Sequence, residues 1–194
     1  MTFRPIETER LVIRNWREED RDLFHAINSD DRVMEYFPFR RDRAAADRVM
    51  DLLASAIERD GHGFTALERR DTGECIGFAG LARASLEGAG FPQDMIEIGW
   101  RLHHPWWGLG FAGEAAHAWL QQGFGELGLD EIVSFAVHDN DRSTAVMRRI
   151  GMRRDPARDF DHAGVPETHP HLRRHVFYAL TREEWLHDRE RSQS

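Results

Sequence analysis

Gly108-Leu-Gly110-Phe-Ala-Gly113 spells G-x-G-x-x-G between an expected strand and an expected helix. Small residues there let backbone N–H groups approach an anion, and the helix that follows adds the positive end of its dipole. A dinucleotide-binding fold would carry this run in its opening strand–helix–strand unit. Here three strand-like runs precede it and one strand–helix–strand unit follows, so the anion chemistry stands and the dinucleotide reading does not. A tight strand-to-helix turn without a ligand is the competing interpretation. A second constellation is Asp139-Asn140-Asp141-Arg142-Ser143. Taken alone, Asn140 is a helix N-cap. Taken with the glycine run, two parallel βα units would point two helix N-termini at one crevice.

Other chemistries are excluded by composition. All 26 basic residues are Arg, so there is no P-loop, Schiff-base, pyridoxal-phosphate or kinase lysine. The single cysteine, Cys75, rules out an internal disulfide and lies in an apolar run, where a small core residue is expected. His162, His169, His171 and His175 could offer imidazoles, but Cys partners and an H-E-x-x-H frame are missing, so no metal is expected. A net charge of −8 argues against nucleic-acid or anionic-membrane partners and fits a cationic substrate better. The opening MTFRPIETERLVIRNW has no apolar signal segment and no window resembles a membrane span, so a cytoplasmic protein is expected.

The elements that must position these residues alternate in type. Residues 11–16 form a β-rich run, and a helical pattern opens at Glu18 with Leu23, Phe24 and Ile27 on one face. Residues 43–59 form a helix with Val49, Leu52, Leu53 and Ile57 as its apolar stripe. The loop between these helices carries Tyr36, Phe37 and Phe39. Residues 63–67 and 75–81 read as a hairpin, followed by a polar loop over 87–94. The run 95–102 is a strand with Glu97, Gly99 and Arg101 on one face. A helix is expected over 114–127, a buried strand over 131–137, and a helix from Asn140 to Gly151. Two strand-like stretches, 152–155 and 175–180, flank the His-rich loop, and a charged helix covers 182–191. Without linker or repeat, residues 1–194 read as a single domain, long enough to hide roughly 70% of its unfolded surface.

The run EIGWRLHHPWWGLGFAGEA resembles the acetyl-CoA signature of the GNAT superfamily of N-acetyltransferases. That family's phosphate loop has the form Gln/Arg-x-x-Gly-x-Gly/Ala, here Trp107-Gly108-Leu109-Gly110-Phe111-Ala112. The variant is similar to the branch containing ribosomal-protein N-terminal acetyltransferases. Thr8-Glu9-Arg10-Leu11 with Ile13-Arg14, and Asn140-x-x-Ser143 with Gly151, extend the match over about residues 8 to 153. Trp107 departs from the usual Gln/Arg, and Met147 and Arg148 stand where many relatives carry a tyrosine acid. The stretch 158–175 lies outside the family pattern.

The resemblance implies an α/β (α+β) fold, with a mixed, mostly antiparallel splayed central sheet and helices on both faces. It also implies acetyl-CoA as co-substrate and transfer to a primary amine, either a protein N-terminal α-amine or a small molecule, by direct attack on the thioester. The cofactor would lie between the strand ends near Leu102 and Val137, touching Arg101, Leu102, His103, residues 107–112, Asn140 and Arg149. Glu97 occupies a position where relatives often carry a base acting through water; an exposed sheet carboxylate is the alternative. Backbone N–H groups near Leu102 would polarise the carbonyl, Ser143 would protonate or stabilise the thiolate, and Asn140 would hold the pantetheine arm. Phe37, Phe39 and Trp100 would line the acceptor pocket of a monomer or homodimer. At pH 7 an α-amine of pKa ~8 is about 10% neutral and a lysine-like amine below about 0.1%, so a weak base favours α-amines. The rival from another class is a non-catalytic acyl-CoA sensor or interaction module.

Overall fold

The computed structural model describes residues 3–84, 86 and 90–192. They fall into two compact units, Met1–Ala82 with Gly99–Ala118, and Arg83–Ile98 with Trp119–Ser194. Residues 87–89 of the expected polar loop lie outside the described residues.

The first unit contains β1 (Ile6–Glu7), β2 (Leu11–Arg14), α1 (Arg21–Ser29), α2 (Arg43–Asp60), β3 (Phe64–Arg69) and nearly all of β4 (Cys75–Arg83). It also holds the second half of β5 (Ile96–Leu102) and the start of α3 (Phe111–Gln121). Strands β1 to β4 pair antiparallel in chain order, with Leu11 opposite Arg69 and Phe64 opposite Gly80. Trp16, expected at the end of a strand, sits beyond β2. Its indole N–H donates to the Phe64 carbonyl at 2.8 Å and its ring meets Phe24 edge-on at 4.9 Å, so packing rather than pairing fixes it. Arg14 is buried and donates to both oxygens of Asp20, at 2.7 and 2.9 Å, and to Glu68 at 2.5 Å. Helix α2 is capped by Asp42, which accepts from the Ala45 N–H. Of its expected apolar stripe, Ile57 is buried and Val49 and Leu53 pack against the core beside Ala46 and Met50, whereas Leu52 is 69% exposed. Two positions on from Met50, Leu52 falls on the opposite side of a 3.6-residue turn.

The second unit contains the first half of β5, then β6 (Glu131–Val137), α4 (Asp141–Arg149), β7 (Arg153–Arg154), β8 (Phe160–Asp161), β9 (Arg174–Thr181) and α5 (Arg182–Ser192). Strand β5 pairs parallel to β6 at Glu97 opposite Val133. Strand β6 pairs antiparallel to β9 along its whole length, from Glu131 opposite Thr181 to Val137 opposite His175. Both runs are rich in β-branched and aromatic residues, which suit a pleated, buried surface. The short strands β7 and β8 add antiparallel pairs to β9. The fold is thus the mixed, mostly antiparallel α/β arrangement expected. Phe91 stacks on Phe177 at 5.3 Å within a core that includes Leu86, Val133 and Phe160.

Two boundaries differ from expectation. Helix α3 begins at Phe111, not Glu114, because the Glu114 N–H already donates to the Gly110 carbonyl and closes a first turn. Its end loosens into a π turn over Gln122–Glu126, where Gly123 and Gly125 weaken α-helical propensity. In the His-rich stretch, Phe160 pairs opposite His175 and stacks on its ring at 5.4 Å, a strand that the polar sequence around it conceals. Among the described residues no group of three or more His, Cys, Asp or Glu side chains could hold a metal ion, and no helix is long and apolar enough to cross a membrane.

Candidate functional site

In the first unit, the segment after β5 separates spent backbone donors from open ones. The His103 N–H donates to the Ile76 carbonyl at 3.0 Å, and the Trp107 N–H to His104 at 3.1 Å. The Trp107 indole turns inward, donating to the Leu102 carbonyl at 2.8 Å and packing on the core. Gly108 and Gly110 follow with φ of 75° and 85°, the left-handed region open to glycine. No backbone carbonyl among the described residues accepts from the N–H of Gly108, Leu109 or Gly110. Phe111 and Ala112 open α3, where first-turn N–H groups have no intrahelical partner. Residues 108–112 therefore offer consecutive donors at a helix N-terminus, and a Cβ on Gly108 would meet nothing within 4 Å.

Arg10 braces this loop, a role that sequence reasoning missed although its Thr-Glu-Arg-Leu setting had been noticed. Its Nε and backbone N–H donate to Glu114 at 2.6 and 2.8 Å, and its Nη1 donates to the Leu109 carbonyl at 2.9 Å. The guanidinium also lies 4.4 Å over the Phe111 ring. Thr8 donates to Glu114 at 2.6 Å. Burial opposes ionisation of Glu114, but the hydrogen bonds from Thr8 and Arg10 outweigh it and hold the carboxyl below its ordinary range.

Also in the first unit, Phe37 and Phe39 come together with ring centroids 5.9 Å apart. Arg40 fixes their loop by donating from Nη1 to the carbonyls of Met34, Phe37 and Phe39. The Arg101 guanidinium lies 4.0 Å over Phe37 and donates to Asn28 Oδ1 at 2.9 Å. Arg41, which sequence reasoning passed over, lies 4.3 Å over Phe39 and donates to the same oxygen at 2.8 Å. Trp100, half-buried, precedes Arg101 on β5, and alternation turns it to the other face of the strand.

In the second unit, Glu97 is half-buried, and its carboxylate has no hydrogen-bond or ion-pair partner among the described residues. Loss of water pushes its carboxyl up to about 7. Asn140 caps α4, accepting from the Ser143 N–H at 3.1 Å. That engages its oxygen and leaves its Nδ2 without a partner among the described residues. The Ser143 side chain is half-buried in the first turn of α4, and Arg149 is exposed in its last. Cys75, in the first unit, is buried, and burial pushes its thiol up to about 12, which keeps it protonated and unsuited to nucleophilic attack.

Comparison with known proteins gives one answer. Residues 10–153 match the model of the acetyltransferase (GNAT) domain. The uncharacterized N-acetyltransferase YnaD of Bacillus subtilis is 30% identical over 185 residues, covering 93% of this chain and 98% of that one. A protein of Aspergillus fumigatus named FsC-acetyl coenzyme A-N(2)-transacetylase is 29% identical, covering 93% and 77%. The crystal structure of a GNAT-family acetyltransferase from Bacillus anthracis superposes with a TM-score of 0.77 at 25% identity, covering 93% and 99%. The chain belongs to the GNAT family of N-acetyltransferases.

Proposed function

We propose that this enzyme transfers the acetyl group of acetyl-CoA to a primary amine, with residues 108–112 as the cradle for the cofactor's pyrophosphate. The observation that carries the reading is the run of open N–H donors at the start of α3, shaped by Gly108 and Gly110 and braced by Arg10. Oriented amides at a helix N-terminus suit a diphosphate. The amides of His103 and Trp107 are already committed, so the donor run begins at Gly108.

When bound, acetyl-CoA supplies an acetyl thioester that a neutral amine attacks, with the thiol as leaving group. Glu97 takes the proton that the amine loses. A carboxyl held at about 7 is half ionised at neutral pH, and its match to ambient pH is what a general base needs. The Ser143 hydroxyl donates toward the departing sulfur. Asn140, its Oδ1 engaged by the Ser143 N–H, presents Nδ2 to the amide-rich pantetheine arm. Arg149, exposed, is left for the cofactor's outer phosphates.

The test is release of free CoA thiol from acetyl-CoA across a panel of peptide N-termini, amino acids and polyamines. Acceptor-dependent release supports the reading. Binding of acetyl-CoA without release for any amine would favour the non-catalytic sensor.

A further inference from the structure

We propose that Arg41 and Arg101 form a subsite for a carboxylate on the acceptor, so that the substrates are amines carrying a free carboxylate, as amino acids do. This deepens the N-acetyltransferase reading and rests on it. Both guanidiniums donate to one oxygen, Asn28 Oδ1, at 2.8 and 2.9 Å, which holds their nitrogens within two hydrogen-bond lengths of each other. Asn28 is fully buried, and its Nδ2 donates to the Phe24 carbonyl at 2.8 Å, so its oxygen is fixed facing the pair.

Two cations brought this close need an anion. Among the described residues no carboxylate pairs with either, although the chain has 34 acidic residues against 26 arginines and supplies partners to most of the others. Burial lowers the proton affinity of both guanidiniums, and the charge of Arg41 adds to the effect on Arg101. Each donor fork spends one N–H on Asn28 and retains others in the planar geometry that matches a carboxylate. The supports are built in: Phe37 and Phe39 underlie the two guanidiniums at 4.0 and 4.3 Å, and Arg40 ties down the loop that carries the rings. The acidic net charge favours cationic acceptors in general; this pair reverses the sign locally.

The test measures CoA-thiol release with L-phenylalanine and L-leucine, with their amides, and with phenethylamine. Wild type should prefer the acids over the amides by about tenfold or more in kcat/KM, the scale of a charge-assisted hydrogen bond. Arg101→Gln keeps a donor for Asn28 and removes a charge, so it should fold with an unchanged or higher Tm. It should raise KM for the acids by about the same factor, and Arg41→Gln, at a residue outside the expected cofactor set, should do so while leaving the amides and the Kd for acetyl-CoA within about twofold. Arg101→Lys should recover part of the loss. Equal use of acids and amides by wild type, an equal loss on both in Arg41→Gln, or a loss of acetyl-CoA affinity in Arg41→Gln instead would each overturn the proposal.

Thermal shifts of the CoA-saturated protein with each amino acid and its amide separate the two levels. If the amino acids bind and the amides do not, yet no amine is acetylated, the subsite stands and the acetyl-transfer reading fails. If no amino acid stabilises the protein beyond its amide, the subsite fails.

Discussion

At the scale of single residues, Glu97 carries the sharpest expectations. If it takes the amine's proton, Glu97→Gln should lose about a hundredfold or more in kcat/KM near pH 7, and the deficit should shrink as rising pH deprotonates the amine unaided. A deficit constant across a pH series would instead assign Glu97 to charge binding. Its raised carboxyl also has a thermodynamic sign. The folded protein holds this proton more tightly than the unfolded chain, so stability falls as pH rises from about 4.5 through about 7 and is level above. Relative to wild type, Glu97→Gln should therefore gain stability between pH 4.5 and pH 8, by up to roughly 3 kcal/mol in denaturant titrations. The neighbours in the second unit divide cleanly. Asn140→Ala should cost ~1 kcal/mol of stability through the lost cap, and weaken acetyl-CoA binding as well. Ser143→Ala should lower kcat with little change in the KM for acetyl-CoA. An unchanged kcat removes Ser143 from the chemistry.

At the scale of elements, the first unit depends on a buried ion cluster that fixes the exit of β2. Asp20→Asn leaves Arg14 without its bidentate partner and should destabilise by about 3 kcal/mol, read by thermal or chemical unfolding. Arg10→Ala acts differently, because Arg10 is exposed and Glu114 keeps its hydrogen bond from Thr8. It should lower acetyl-CoA affinity with only a small loss of stability. These cases also mark what was legible in the sequence. The glycine loop, the α4 cap and the alternating strand around Glu97 are local patterns, written in consecutive residues and set by short-range geometry. Arg10, Asn28 and Arg41 escaped because their roles arise from contacts such as Arg10 to Glu114 or Asn28 to Arg101, far apart in the chain. Strand β8 escaped for a related reason: two residues in a polar loop become a strand only because β9 offers an edge. The stripe of α2 was misplaced at Leu52, since hydrophobicity alone does not say which side of a helix meets the core.

At the scale of the whole molecule, net charge misleads where local charge decides. An acidic chain whose basic residues are all arginine concentrates two of them, without a carboxylate partner among the described residues, beside an aromatic loop. The order of elements and the family were legible because the glycine loop and the Asn140 cap each follow a strand-like run and open a helical one, in consecutive residues. The acceptor was not, because its recognition is distributed over loops that no short motif describes. The claim on which the rest stands is that residues 108–112 hold acetyl-CoA through their backbone N–H groups, and it is tested most directly by ligand-induced thermal stabilisation of wild type and Gly110→Val. Gly110 has φ of 85°, and a branched side chain there strains the turn and crowds Arg10 Nη2, displacing the donors. Wild type at a hundredfold excess of acetyl-CoA over Kd should gain about 2.7 kcal/mol, and the variant should gain little whatever its own Tm. No shift for wild type at saturating acetyl-CoA, or an equal shift for Gly110→Val, would contradict the account.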